Sequence, residues 1–355
     1  MAKASFDRSN NAKSTSSGIT RRHSLKAFAG AAAALGIAVR SYPTRAGDLL
    51  PLRILGSGNG WAASEIVILA EEFGYFRKEG LKLDLVLLPA ERLTVALEGG
   101  ITDFVPNAHY IYFVNIKDKG LKGHQVVSTS PYSDPRLPSG GLFVRENSKI
   151  RGPEDLRDKT IGLTVLQFAS AWFTLAYLEK AGLKRDDINL IAIPGPQHEQ
   201  VLSSGDVDAV YTSGAVEASL RRRGGFRKLF TTTDIAGRRI SAGSTIVRDD
   251  YARDKPDIVR RYVAAIGNTI EWANRNQEEI FHYAIKTGKV NAALAPFLYT
   301  PDGGGDYSVL RWPDHGLQNR DDVKFWIDVG ERIGIVSRGK LAPEDIYTDQ
   351  FNSFA

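Results

Sequence analysis

The sequence predicts an α/β protein, and residues 151–183 are the clearest sign of it. Residues 160–163 (TIGL) form a compact apolar run of the kind that makes a buried parallel strand. A polar loop at residues 167–170 follows and opens an amphipathic helix that stops at Gly182. A chain of 355 residues can also bury a large core and divide into two lobes.

This strand–loop–helix unit has a geometry that suits a small anionic or polar ligand. Unpaired amide N–H groups and the positive end of the helix dipole meet there at the carboxyl edge of a sheet. The loop residues Gln167, Phe168, Ala169 and Ser170 are therefore candidate ligand contacts. Taken alone, however, the stretch is better explained as an ordinary βα unit without a ligand.

The basic residues of the chain concentrate at its amino end. The formal net charge is +5 at pH 7. Residues 1–46 hold eight of the 46 Lys and Arg and one of the 41 Asp and Glu, which leaves 38 basic and 40 acidic residues in the remainder. Because the remainder has no excess of positive charge, we expect no nucleic-acid partner.

The amino-terminal segment resembles a twin-arginine export signal. Arg21 and Arg22 precede a weakly apolar run, residues 27–39, which is too short to anchor the chain in a bilayer. Small residues follow, so cleavage is expected before Gly47. We therefore predict a signal peptide over residues 1–46 and export to the periplasm by the twin-arginine route; the alternative is a basic tail before a chance Ala-rich helix.

The first elements after this segment alternate between strand and helix. Residues 52–55 predict a strand, and a glycine-rich loop with Asn59 and Trp61 follows it. A helix is predicted over residues 64–73 and a second strand over residues 82–88. The loop glycines match a dinucleotide-binding fingerprint poorly, so no cofactor is expected.

The later elements return the chain to its first half. We predict a returning strand at residues 244–248, followed by long helices over residues 256–276 and 278–287. The tail helix, residues 321–333, has apolar residues at helical spacing and is expected to pack on the core.

No residue pattern predicts catalysis or metal binding. The six histidines are scattered without metal-ligand spacing, so structural or surface roles are favoured for them. The chain has no cysteine and therefore no thiol nucleophile, disulfide or thiolate ligand. The aspartates of residues 302–306 lack the spacing of a calcium loop, and a flexible turn is expected there.

Several segments resemble one protein family. They are LAEEFGYFRKEGLKLDLVLL (residues 69–88), ALEGGITDF (96–104), IRGPEDLRDKTI (150–161) and LSSGDVDAV (202–210). The family is that of the periplasmic binding proteins that feed sulfonate, taurine, nitrate and thiamine-pyrimidine importers. The likeness spans most of residues 52–275, but these segments belong to the scaffold and do not identify a ligand.

The resemblance implies the two-lobed periplasmic binding protein fold (type II), with a ligand cleft between the lobes. Lobe 1 is then expected at residues 52–143 plus 243–355, and lobe 2 at residues 144–242. It also implies a monomer that delivers a small-molecule ligand to an ABC permease in the inner membrane, without enzymatic activity, cofactor or metal.

In such a fold, ligand contacts lie on loops that follow the carboxyl ends of strands. The candidate ligand-binding residues are Asn59, Trp61, Asn107, Ala108, Thr129, Ser130, Gln167, Phe168, Ala169, Ser170, Tyr211, Thr212, Ser213 and Gly214. His109 and Tyr132 belong to the same loops. Because most polar members are neutral donors, we expect an anionic headgroup near residues 167–170 and an organic tail against Trp61 or Tyr211.

Charged residues around these loops leave alternatives open. Family members often carry an acidic–Pro pair after the strand that ends here at Tyr211, and Thr212 follows it instead. Glu217 could substitute, although a solvated helix face is the favoured interpretation. The arginines that could supply a counter-charge are Arg238, Arg239 and Arg311, with surface roles favoured for each.

Three classes of function remain from the sequence. The leading one is a receptor for an ABC importer that binds an aliphatic sulfonate, taurine or a nitrate-like anion, with a pyrimidine or aromatic acid as the alternative ligand. The second is an enzyme like the pyrimidine-forming relatives, which use a Cys-rich motif that this chain lacks. The third is a sensor that reports ligand binding to a membrane kinase.

Overall fold

The computed structural model of the protein describes residues 49–57, 66–88, 92–166 and 168–355. The chain from Gly47 onward forms one compact unit. The predicted signal segment and three candidate site residues, Asn59, Trp61 and Gln167, lie outside the described residues. None of the described helices is long and apolar enough to cross a bilayer.

The strands of the described chain form two five-stranded sheets. Their bounds are β1 Leu50–Ser57, β2 Leu81–Leu88, β3 Phe104–His109, β4 Gly123–Ser128, β5 Gly141–Arg145, β6 Thr160–Leu163, β7 Asn189–Ala192, β8 Ala209–Thr212, β9 Phe226–Thr231 and β10 Gly243–Arg248.

Helices follow most of these strands. Their bounds are α1 Ile66–Glu72, α2 Tyr75–Lys78, α3 Leu93–Glu98, α4 Tyr110–Asp118, α5 Ala169–Leu178, α6 His198–Ser204, α7 Gly214–Arg223, α8 Thr232–Ala236, α9 Asp249–Asp254, α10 Pro256–Ala273, α11 Gln277–Lys286, α12 Ala295–Tyr299, α13 Arg320–Arg332 and α14 Pro343–Ile346.

The sheet order shows that one part of the chain is inserted into the other. The first sheet has the order β2-β1-β3-β10-β4, and the second has the order β7-β6-β8-β5-β9. The strand β10 runs antiparallel to β3 and β4, as β5 does to β8 and β9, while the remaining pairs are parallel. We call the part built on the first sheet lobe 1 and the part built on the second sheet lobe 2.

Lobe 1 is closed by helices that the sequence predicted. The helix α10 begins with Pro256, whose missing N–H would be unpaired at that position. Its residues Val259, Tyr262, Val263 and Ile266 follow the i, i+3, i+4, i+7 spacing and are buried against the first sheet. The tail helix α13 begins after Asn319, whose side chain accepts two backbone N–H groups of its first turn.

The helix α5 begins where the sequence predicted a helix, but it does not have one apolar side. Eight of its ten residues are buried. Both lobes cover it, because Trp172 lies 6.1 Å from Tyr112 of α4 while Tyr177 stacks at 4.1 Å on Phe230 of β9 (ring centroids). A helix that is buried all round is a core element, and α5 is a lobe 2 helix that reaches lobe 1.

Two crossover segments connect the lobes, at residues 129–140 and 237–242. They run side by side, and Ser133 and Ile240 exchange backbone hydrogen bonds of 2.9 and 3.1 Å. The second crossover is fixed to α13 of lobe 1, because the Asp322 carboxylate accepts the Ser241 N–H at 2.9 Å and Trp326 Nε1 donates to the Ser241 carbonyl at 3.0 Å. The second crossover is therefore anchored on the lobe 1 side.

Candidate functional site

Asn107 forms the lobe 1 side of the candidate site. It lies in β3 with a φ of +55°, and the pairing of β3 with β10 shifts register between Ser244 and Ile246. Asparagine tolerates this left-handed conformation better than most residues, and such strained positions and bulges cluster at functional sites. Its Oδ1 accepts a hydrogen bond from Ser130 Oγ at 3.3 Å, which leaves the amide nitrogen to donate to a ligand.

The neighbours of Asn107 hold it in place and are closed to a ligand. Thr129 is fully buried, its Oγ1 accepts the Asn107 N–H at 3.0 Å, and its carbonyl accepts Trp312 Nε1 at 3.1 Å. Ala108 is 2% exposed. A Cβ on Gly243 would lie 2.9 Å from both Ser130 Oγ and the Ala108 carbonyl oxygen, so the close packing of β10 here requires glycine. Thr129 and Ala108 therefore position Asn107.

The lobe 2 side follows β8. Tyr211 and Thr212 are buried at the end of this strand, and the Tyr211 hydroxyl shares a 3.0 Å hydrogen bond with Thr232. Burial raises the pKa of Tyr211, so its hydroxyl stays protonated at neutral pH. Ser213 and Gly214 are exposed at the start of α7, where Gly214 has a φ of +57° and the Ser213 side chain makes no capping hydrogen bond. Ser213 is thus the accessible donor of this group.

The amino end of α5 lies against lobe 1. Phe168 precedes the helix in an extended conformation, and its ring lies 4.9 Å from that of Tyr112. Ala169 is buried, whereas Ser170 is half-buried at the second helical position. The helix therefore begins where the two lobes meet, with Ser170 among the N–H groups that lack intrahelical partners.

His109 lies between the Asn107 group and α5. Its ring meets Phe173 edge-on, with ring centroids 5.5 Å apart. Burial lowers the pKa of His109 to about 4, and the Ala242 carbonyl opposes this shift. Phe173 lies in turn 6.1 Å from the Tyr211 ring. His109 is therefore a neutral group at pH 7, in a row of rings that runs from lobe 1 to β8.

The predicted counter-charges have other partners. Arg238 pairs with Asp322 at 2.6 Å and Arg311 with Asp314 at 2.9 Å. The Arg239 guanidinium lies over the Tyr132 ring, 4.4 Å from its centroid, and has no carboxylate partner among the described residues. Of these three arginines, Arg239 is therefore the one whose charge is available to a ligand.

The expectation for Glu217 is wrong. It is 5% exposed instead of lying on a solvated face, and its Oε1 lies 3.4 Å from Nζ of Lys228 on β9. Burial raises the pKa of Glu217, while Lys228 opposes the shift. The cause is that α7 packs this side against the second sheet, where Lys228 faces it.

The described residues contain no group of three or more His, Cys, Asp or Glu that could hold a metal.

Sequence reasoning missed the aromatic residues that join the lobes. Tyr112, Trp172 and Phe173 stand on helices α4 and α5, and helical spacing gave no sign that they meet across the lobes. The structure brings Asn107 and Ser130 together within lobe 1, and it connects Phe168 and Tyr211 to them only through these rings. The one signal in the local sequence was the high density of aromatic residues at 168–177.

A family described as NMT1/THI5 like matches residues 61–280 of the chain. A protein of Brucella abortus (strain 2308), named provisionally as a binding protein, is 24% identical over 266 residues, which are 73% of this chain and 79% of that protein.

Solved structures share the fold. The periplasmic aliphatic sulphonate binding protein SsuA from Escherichia coli has 20% identity and a TM-score of 0.62, over 84% of this chain and 92% of that one. The alkanesulfonate-binding protein SsuA from Xanthomonas axonopodis pv. citri, bound to MOPS, has 18% identity and a TM-score of 0.65, over 85% and 99%.

The desulfurization enzyme DszB is also similar in structure. A mutant of that enzyme in complex with biphenyl-2-sulfinic acid has 18% identity and a TM-score of 0.59, over 85% of this chain and 97% of that one. These likenesses confirm the fold predicted from the sequence, the two-lobed periplasmic binding protein fold.

Proposed function

The chain belongs to the NMT1/THI5-like family, and on that premise we propose that it is the periplasmic solute-binding component of an ABC importer. It binds a small organic anion between its lobes and delivers it to a permease in the inner membrane, without changing it chemically. Aliphatic sulfonates, taurine and nitrate-like anions are the candidate ligands. The structural likeness to sulfonate-binding proteins supports this class.

The observation that carries the proposal is the position of the amino end of α5. It lies at the junction of the lobes, where Phe168 contacts Tyr112, and a helix start offers N–H donors and a positive dipole to an anion. Ser170 belongs to its first turn, and the donor Asn107 of lobe 1 lies two residues from His109, whose ring meets Phe173 of the same helix. Neutral donors with a helix start favour an oxyanion over a cation.

We assign the predicted site residues two kinds of role. The contacts are Asn107, Ser130, Ser170 and Ser213, together with Phe168 and the loop residues Asn59, Trp61 and Gln167. The residues that position them are Ala108, Thr129, Ala169, Tyr211, Thr212 and Gly214. The lobes then correspond to the predicted residues 52–143 plus 243–355 and 144–242, except that β5, Gly141–Arg145, belongs wholly to lobe 2. Closure around the crossovers encloses the ligand.

One observation favours a different ligand class. The neutral His109 and the ring pair Phe168–Tyr112 would suit a flat aromatic acid or a pyrimidine. Catalysis is the less supported alternative: DszB shares the fold, but this chain contains no cysteine and has no thiol to act as a nucleophile.

A thermal-shift screen of the protein from residue 47 onward tests the ligand class. The panel contains alkanesulfonates, taurine, nitrate, aromatic acids and pyrimidines, with choline as the cationic control. A ligand that binds only the folded state raises the melting temperature by mass action. We expect a sulfonate or carboxylate to raise it; stabilisation by choline alone would contradict the proposal.

We also propose that the protein reaches the periplasm by the twin-arginine route. The pair Arg21-Arg22 stands before the weakly apolar run of residues 27–39. Replacing both arginines by lysine should leave precursor in the cytoplasm, as fractionation and immunoblotting would show. Undiminished delivery of processed protein to the periplasm would exclude this route.

A further inference from the structure

The guanidinium of Arg239 lies where the two crossover segments meet. It is placed over the ring of Tyr132, 4.4 Å from the ring centroid. Arg239 belongs to the second crossover and Tyr132 to the first. The residues that follow them, Ile240 and Ser133, exchange two backbone hydrogen bonds. The stack on Tyr132 holds the planar guanidinium in one orientation, so that less freedom is lost when it binds a ligand.

The charge of Arg239 is not neutralised by its neighbours. Arg238 pairs with Asp322, and Arg311 pairs with Asp314. These two carboxylates, which act electrostatically on the ring beneath Arg239, thus have arginine partners of their own. In the part of the chain that the structure describes, no carboxylate forms an ion pair with Arg239. The junction of the crossovers therefore carries one positive charge in excess.

A ligand can reach this charge. Arg239 is exposed, and Tyr132 is half-buried beneath it. An exposed arginine on a mobile side chain contributes little to binding, because water competes for its N–H groups and its freedom must be given up. The stack on Tyr132 reduces that second cost. Arg239 is therefore an accessible cation that is already oriented.

The Arg239–Tyr132 pair lies beside the lobe 1 donors of the proposed site. Ser130 precedes Tyr132 by two residues in the first crossover, and its Oγ donates to Asn107 Oδ1 at 3.3 Å. The Ser130 N–H donates to the carbonyl of Gly243, just after the second crossover, at 3.4 Å. Arg239 is thus connected to Ser130 and Asn107 through direct contacts between the two crossovers.

The second crossover is anchored on lobe 1, so Arg239 should keep its place beside these donors when the lobes move. The anchors are the Asp322 carboxylate, which accepts the Ser241 N–H at 2.9 Å, and Trp326 Nε1, which donates to the Ser241 carbonyl at 3.0 Å. A fixed guanidinium attracts an anion from a distance and binds two of its oxygens with parallel N–H groups. The anion then meets this charge before lobe 2 closes.

We propose that Arg239 supplies the positive charge for the anionic group of the ligand. This inference rests on the proposed function and adds a residue to its site. Asn107, Ser130 and the start of α5 offer neutral donors, which also accept a neutral molecule of the same shape. Arg239 is the residue that makes the site prefer the anion.

Calorimetry with matched pairs of ligands tests the proposal. Each pair consists of an anion and a neutral amide of nearly the same shape: ethanesulfonate with ethanesulfonamide, and benzoate with benzamide. The anion that stabilises the protein most in the thermal-shift screen is measured as well. In Arg239→Gln the affinity for the anion should fall by about tenfold, and the affinity for the amide should stay the same, because only a charge is lost. The matched control is Arg222→Gln, which removes a charge from an exposed position of α7 and should bind as wild type does.

Salt provides a second measurement on the same proteins. Sodium chloride screens the attraction between a guanidinium and an anion, so it should weaken anion binding by wild type more than by Arg239→Gln. Arg239→Lys keeps the charge but not the planar stack on Tyr132, and its affinity for the anion should lie between those of wild type and Arg239→Gln.

The outcomes separate this inference from the proposed function. Undiminished anion binding by Arg239→Gln would overturn the inference and leave the importer function standing. An equal loss for the anion and its amide would also overturn it, because Arg239 would then act through the structure and not through its charge. If neither these anions nor any anion of the wider screen binds to wild-type protein, the inference and the proposed function both fail.

Discussion

Arg221 Nη1 donates a hydrogen bond to the carbonyl oxygen of Phe297 at 2.8 Å, and its guanidinium carbon lies 5.7 Å from the centroid of the Phe297 ring. Arg221 belongs to α7 of lobe 2, whereas Phe297 belongs to α12, in the chain that follows β10 of lobe 1. The lobes are thus joined by a contact that is separate from the crossover segments. Hinge opening has to break it.

Replacing Arg221 by Ala should therefore favour an open form. We expect small-angle scattering to show a larger radius of gyration for the unliganded variant than for wild type, and a bound ligand to restore the smaller value. Ligand affinity should fall by a few-fold, because part of the binding free energy then closes the lobes. The matched control is Arg223→Ala, since Arg223 pairs with Glu199 within lobe 2. An unchanged radius would show that this contact does not hold the lobes together.

Asn107 allows backbone and side-chain effects to be separated. Asn107→Gly keeps the positive φ of +55° and removes the amide, so ligand affinity should fall by about tenfold with little loss of stability. Asn107→Ala removes the same amide and adds strain of about 1 kcal/mol, measurable by urea unfolding. Equal ligand affinity of Asn107→Gly and wild type would remove this amide from the site.

Glu217 should make stability fall as pH rises. Because burial raises its pKa in the folded protein, the folded state keeps this proton to a higher pH than the unfolded chain. The stabilisation that this proton gives the folded state is fully present below the ordinary carboxyl pKa of about 4.3. It is lost as pH rises through the pKa that Glu217 has in the folded protein.

Urea unfolding of wild type and Glu217→Gln at pH 4 and pH 8 measures this effect. The free energy of unfolding of Glu217→Gln minus that of wild type should be larger at pH 8 than at pH 4. Lys228 acts against this effect, because it stabilises the ionised carboxylate at pH 8 and not the protonated acid at pH 4, and the raised pKa of Glu217 already includes its opposition. Glu98→Gln, at an exposed position, serves as the control. A gap between Glu217→Gln and wild type that does not change with pH would contradict the burial argument.

The α/β class and most element positions could be predicted because they depend on local patterns. The run at residues 160–163 and Gly182 bounded a strand and a helix that the structure confirms. The prediction that α5 is amphipathic was wrong, because both lobes cover that helix. A local sequence pattern does not indicate that a second lobe packs on it. Glu217 was misjudged for the same reason: Lys228, which faces it, stands on another strand.

The site was harder to predict than the fold. The carboxyl ends of β3, β4 and β8 could be predicted from the sequence, although Asn107 and Ala108 lie within β3 and not on a loop after it. Which groups stay free at these strand ends depends on distant residues. Thr129 looks like a ligand contact until Trp312 and Asn107 are seen to use its carbonyl and hydroxyl. The conformation of Asn107 likewise depends on pairing with β10, more than 130 residues later in the chain.

The central claim is that an organic anion binds at the amino end of α5, and calorimetry of Ser170→Ala tests it most directly. Ser170 is half-buried at the second position of this helix, and its hydroxyl is expected to donate to the anion. With the tightest-binding sulfonate from the screen, the variant should lose about 1–2 kcal/mol of binding free energy, with an unchanged melting temperature in the absence of ligand. Undiminished affinity would remove Ser170 from the site, and tight binding of a cation in place of the sulfonate would contradict the account.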